Sequence, residues 1–184
     1  MRWEGLFDEL AAQWEAEARE EARGEVADRT RRERATVRLA DRIGAHLGRP
    51  DVLELLVLGG GRLTGSVLDL GADFLVLGDG GARRIVRLGA LVAVTGLGRR
   101  VAAGSDVTAA RRYGLGYALR GVARNRAPVL VDDVLGRQVP GTIEVVGADH
   151  LELLEHPLDV PPRREAGSGR RVIAFDALVA VSST

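Results

Sequence analysis

Gly65-Ser66-Val67-Leu68-Asp69-Leu70-Gly71-Ala72-Asp73-Phe74-Leu75-Val76-Leu77 returns farther along the chain as Gly141-Thr142-Ile143-Glu144-Val145-Val146-Gly147-Ala148-Asp149-His150-Leu151-Glu152-Leu153. A second stretch, Arg84-Ile85-Val86-Arg87-Leu88-Gly89-Ala90-Leu91-Val92-Ala93-Val94, returns as Arg171-Val172-Ile173-Ala174-Phe175-Asp176-Ala177-Leu178-Val179-Ala180-Val181. Twelve of the 24 aligned positions are identical and the apolar pattern stays largely in phase, so the chain carries two copies of one small β unit.

Short aliphatic runs bounded by glycine turns predict the strands. In the first copy they fall at 52–58, 63–70, 74–77, 84–88 and 91–94, with turns at Gly59-Gly60-Gly61, Gly71-Ala72-Asp73 and Gly78-Asp79-Gly80-Gly81. In the second copy they fall at 129–134, 139–146, 150–155, 171–175 and 178–181. The spacing of the copies grows within 155–170, where prolines and a Gly-Ser-Gly run predict a solvated loop. Five short strands with closely spaced turns suggest a small closed barrel in each copy.

Residues 3–47 predict a helix. Trp3, Phe7, Leu10 and Trp14 step by one helical turn and share a stripe, which marks them as candidate partner-docking residues. The alternative for this stripe is packing on the chain's own barrels. A densely charged middle follows, with a break expected at Gly24, and Gly48 and Pro50 end the segment. Ser105 is a good N-cap for a connector helix running to about Arg124. The resulting division is an N-terminal amphipathic and charged helical region over 1–49, a first barrel over 50–97, an Arg-rich helical connector over 98–127 and a second barrel over 128–184. The expected class is α+β: a long N-terminal helix, then two five-stranded barrels joined by a helical connector.

This order of elements, with Gly-x-Val-x-x-x-Gly-x-x-Phe-x-x-Leu at 65–77, resembles the Sm-like fold over about 36–97 and, less fully, 128–181. The resemblance implies a helix on a strongly bent five-stranded barrel, often assembled into rings that bind uridine- or adenine-rich RNA. The residues of that RNA pocket are not matched. Gly71 and Gly147 stand where the family has Asp, and Leu75 and Leu151 stand where it has a base-contacting Asn. Leu88-Gly89 and Phe175-Asp176 replace its Arg-Gly pair. A leucine offers no hydrogen bond to a base edge. The layout as a whole also resembles actinobacterial proteins of unassigned function.

All 26 basic residues are Arg, and they balance 26 acidic ones. A neutral chain is not a general nucleic-acid coat, but it leaves room for a local basic patch. There is no Cys, which removes disulfides, thiolate metal sites and a Cys nucleophile, and fits a cytoplasmic location. No signal peptide and no run approaching a membrane span is read in the sequence.

The connector holds the main concentration of charge. Between Thr95 and Pro128 there are seven Arg and a single acid, Asp106. At helical spacing Tyr113, Tyr117, Arg120 and Arg124 share a face, with Arg111, Arg112 and Arg126 close by. Rings beside guanidinium groups suit base stacking and phosphate pairing, so these seven are candidate nucleic-acid contacts. The competing reading is internal: the arginines pair with the acidic stretch Glu15–Glu25 or with Asp132 and Asp133, and the rings fill space between the barrels. Asp73 and Asp149 recur in tight turns, where Asp caps backbone. His46, His150 and His156 are too scattered for a metal site. No catalytic, cofactor or metal residue is assigned. The expected function is a non-catalytic assembly or adaptor protein, acting by self-association or on a protein partner through the barrels and the Trp-bearing helix. RNA binding through the connector is the alternative, and no membrane partner is expected.

Overall fold

The structure is a computed structural model that describes residues 14, 19–20, 23–25, 28–32, 34–102, 112–159 and 169–183. The chain divides into two units, Met1–Arg38 and Leu39–Thr184. In the first, the described residues up to Thr36 are helical, Gly24 included, so the expected break there does not form. Helicity stops instead at Val37 and Arg38, where the Val37 amide donates to the Arg34 carbonyl at 3.3 Å, a tightened i−3 bond that closes the last turn.

The second unit begins with a short helix, α1 (Leu39–Gly44). Strands β1 (Leu53–Val57), β2 (Arg62–Leu70), β3 (Phe74–Asp79), β4 (Ala82–Arg87) and β5 (Leu91–Thr95) follow. Helix α2 (Leu115–Asn125) precedes β6 (Val129–Asp133), β7 (Gln138–Val146), β8 (His150–Glu155), β9 (Arg170–Ala174) and β10 (Leu178–Ser183). All ten expected strands form. The aliphatic alternation therefore carries the local structure.

The expected architecture, a long N-terminal helix and two separate barrels, does not hold. All ten strands join in one antiparallel sheet of order β5-β1-β2-β3-β4-β10-β6-β7-β8-β9. The helix expected over 3–47 is interrupted at 37–38, and α1 is a separate element of only six residues. Each half keeps the strand order fifth, first, second, third, fourth. Neither half closes on itself, because β4 pairs with β10 of the other half (Ala180↔Val86, Val181↔Ile85, Ser182↔Arg84). The physical reason is that an open strand edge is satisfied equally by any strand with matching backbone groups, and the nearest such strand belongs to the other copy.

The two copies match down to register. Leu55↔Val94, Leu56↔Ala93 and Val57↔Leu91 in the first become Val131↔Val181, Asp132↔Ala180 and Asp133↔Leu178 in the second, with a bulge at the same step. A further bulge between Val67 and Asp69 returns between Ile143 and Val145. Gly65 and Gly141 mark an equivalent close approach in the two copies: a Cβ there would lie 2.6 Å from the Gly78 carbonyl oxygen and 2.3 Å from that of Leu154. Only glycine admits strands this close.

Two clusters of buried side chains form the core. One gathers Ile43 of α1 with Leu53, Leu55, Val67, Leu75 and Leu77; the other gathers Leu115 and Leu119 of α2 with Val131, Ile143, Leu151 and Leu153. Strand β10 serves both, sending Val179 and Ala180 to the first and Leu178 and Val181 to the second. Each fully buried Val or Leu contributes about 1.5–3 kcal/mol, so β10 ties the halves together by packing as well as by backbone pairing.

Candidate nucleic-acid interface

Helix α2 lies on β7 with Leu115 and Leu119 buried. Its opposite face is polar, as expected of an amphipathic helix. The helix starts at Leu115, later than the sequence suggests; Ser105, the expected cap, and Arg111 lie outside the described residues. The first turn is capped from a distance instead. Asp73, in the β2–β3 turn, accepts a hydrogen bond from the Leu115 amide through Oδ1 at 2.6 Å, and the Ala72 amide donates to the Tyr113 carbonyl at 3.0 Å. Asp73 is thus structural, but it serves a helix in place of its own turn.

These contacts fix Tyr113 just ahead of the helix, where its ring stacks on that of Tyr117 with centroids 4.2 Å apart and planes inclined by 22°. Both rings remain about half exposed, at 48% and 51%. They do not fill space between the halves, so that expectation is corrected. Arg120 and Arg124 continue the same face and Arg126 follows at the helix end in a left-handed conformation with φ of 48°. Arg112, Arg120, Arg124 and Arg126 are all exposed and form no ion pair among the described residues. The internal pairing with Asp132 and Asp133 is also corrected. Asp133 is held by Arg137 Nε at 2.7 Å, and Asp132 accepts from Gln138 Nε2 at 2.8 Å.

Arg120, Arg124 and Arg126 line one side of a cleft of ≈ 790 Å³ between α2 and β7. Ile143, Val145, Val146 and Leu154 form much of the rest, with Thr142 and Glu144 as polar groups. Glu144, the acid of the cleft, pairs with Arg170 at 3.1 Å, which offsets its charge and leaves a positive field at the mouth. Thr142 is buried and shares a hydrogen bond of 2.8 Å with His156 Nε2, while His156 Nδ1 donates to the Pro157 carbonyl at 2.7 Å. Sequence reading did not join these two residues. They meet only because β7 and β8 pair, and no local pattern reports that.

The other candidates stay apart. His46 bonds Asp51 at 3.0 Å, and His150 bonds Asp149 at 2.8 Å, which holds the Asp149 carboxyl below the usual range. Among the described residues no three His, Cys, Asp or Glu side chains gather as a metal site. Leu75 and Leu151, where a base-contacting Asn would be needed, are fully buried in the core. Of the docking stripe, Trp3, Phe7 and Leu10 lie outside the described residues; Trp14 is helical and 73% exposed. Among the described residues no helix is long and apolar enough to cross a membrane. In comparison with known proteins, no family model, no curated protein and no solved structure matches the chain.

Proposed function

We propose that the chain is a non-catalytic binding protein that holds single-stranded nucleic acid, RNA in the first instance, on the Tyr113–Tyr117 platform and the arginine-lined cleft beside it. The observation that carries this reading is the exposed, stacked tyrosine pair running directly into arginines that form no ion pair among the described residues. Rings supply stacking that tolerates any base, and guanidinium groups supply paired hydrogen bonds to phosphate. The test is fluorescence anisotropy with labelled oligouridine and oligoadenine across a salt series. With three or four phosphates contacted, log K should fall against log salt with a slope of about −2 to −3. Replacing Arg112, Arg120 and Arg124 by Glu should abolish binding. Absence of binding at low salt ends this reading.

A second reading, assembly through protein contacts, is favoured by a separate observation. The sheet ends in two strands, β5 and β9, that have a neighbour on one side only among the described residues, and Val92 on β5 is 57% exposed. Exposed aliphatic edges invite strand addition.

A further inference from the structure

The four residues Leu91-Val92-Ala93-Val94 and Leu178-Val179-Ala180-Val181 are identical in sequence and equivalent in register. Their surroundings differ. In β10 all four are buried, because β6 lies on one side and β4 on the other. In β5, paired among the described residues with β1 alone, none is buried, and Val92 and Ala93 are exposed. The other end of the sheet shows the converse. Strand β9 is the counterpart of β4, yet among the described residues it pairs only with β8, and Val172 on it is 66% exposed. One molecule therefore contains one completed joint, β4 with β10, and the two separated halves of a second.

We propose that β9 of one copy pairs antiparallel with β5 of another copy and rebuilds the β4–β10 joint between molecules. This deepens the assembly reading and rests on it, naming the partner as a second copy of the chain. The register follows from the internal joint. Val86↔Ala180, Ile85↔Val181 and Arg84↔Ser182 become Ile173↔Ala93, Val172↔Val94 and Arg171↔Thr95. Aliphatic side chains again face aliphatic ones, and an arginine again faces a small hydroxyl residue. The edges carry little to prevent this. Strand β5 has no charge and no proline, and both arginines at the start of β9 are occupied, Arg170 with Glu144 and Arg171 with Glu155. The contact joins unlike surfaces head to tail, so each copy can donate one edge and receive the other. One element is not repeated. Arg87, which clamps the internal joint, has Ala174 as its counterpart, so the joint between molecules is the weaker of the two and depends on concentration.

The native chain has no cysteine, which allows a clean cross-linking test on the full-length protein. Val94→Cys and Val172→Cys are made separately, mixed and oxidised, and sedimentation follows the mass of the native chain over a wide concentration range. Facing residues on antiparallel strands lie within disulfide reach. The expected result is a mass that rises with concentration and a covalent dimer in the mixture but in neither variant alone. Val172→Asp, at an exposed site the fold tolerates, should weaken association about tenfold or more. A mass fixed at that of one chain with no cross-link overturns the proposal and self-association altogether, and leaves of the assembly reading only contact with a different protein. A larger mass without the mixed cross-link, or a dimer of Val172→Cys with itself, overturns the proposal and leaves assembly through another surface standing.

Discussion

Arg87 reaches across from the end of β4 to the chain around Asp176, placing Nε on the Leu178 carbonyl and a terminal guanidinium nitrogen on the Asp176 carbonyl, both at 2.8 Å. The Arg87 side chain is largely buried, whereas that of Asp176 is fully exposed and only 3.4 Å from the guanidinium at its nearest. The bonds that matter are therefore those to backbone, made at the seam where the two halves meet.

Arg87→Ala should lower the free energy of unfolding by about 1.5–3 kcal/mol, the range for hydrogen bonds to a charged group. Arg87→Lys should recover only part of that, since an ammonium cannot span both carbonyls. Asp176→Asn should change stability by no more than about 0.5 kcal/mol, as an exposed ion pair does. Urea unfolding of the three variants checks this; equal losses for Arg87→Ala and Asp176→Asn would place the interaction in the ion pair instead.

Asp73→Ala should destabilise the protein by about 1 kcal/mol, within the range for losing a helix N-cap, because the Leu115 amide then loses its acceptor. Asp73→Asn, which keeps an oxygen at that position, should cost less. Thermal unfolding followed by helical circular dichroism distinguishes them.

Asp132 and Asp133 are neighbours on β6 pushed in opposite directions. Burial holds Asp132 above the usual carboxylate range, outweighing the Gln138 hydrogen bond and the Arg84 charge. Burial also pushes Asp133 upward, but hydrogen bonds from Arg137 and from the Leu135 amide prevail and hold it below that range. A carboxyl held low stabilises the fold above its unfolded pKa of about 3.9, and that contribution is lost as pH falls through the folded value. A carboxyl held high favours the fold while protonated, and that contribution is lost as pH rises through its folded value. Asp133→Asn should therefore be less stable than the native chain at neutral pH, with the deficit shrinking in acid. Asp132→Asn should match or exceed the native chain at neutral pH and lose any advantage in acid. Urea midpoints at neutral pH and at pH about 3 decide the signs.

Stacking and charge separate in the nucleic-acid site. Tyr117→Ala should weaken oligonucleotide binding by about 1–3 kcal/mol and leave the salt slope unchanged. Arg124→Ala should weaken it and reduce the magnitude of that slope by about 0.7. A tyrosine variant that alters only the slope would mean that the rings do not stack on bases.

Much of the fold is legible in the chain itself. Alternating aliphatic residues between glycine turns specify all ten strands, because a pleated strand presents successive side chains to opposite faces. The recurrence of Gly65 as Gly141 and of Leu-Val-Ala-Val at 91–94 and 178–181 specifies that two such units exist and share one register. The face formed by Tyr117, Arg120 and Arg124 is equally local, set by helical spacing alone. Tertiary structure decided which edges meet. Backbone amides and carbonyls are the same in every strand, so nothing in β4 names β10 as its partner; that choice follows from where the rest of each half places the edge. The same holds for Asp73 reaching the start of α2, for Asp132 and Asp133 bonding to the β6–β7 hairpin instead of the connector arginines, and for Val92 lying exposed while Val179 is buried. In each case the residue is readable but its neighbour is not, because the contact is made through space between segments whose order along the chain carries no record of it.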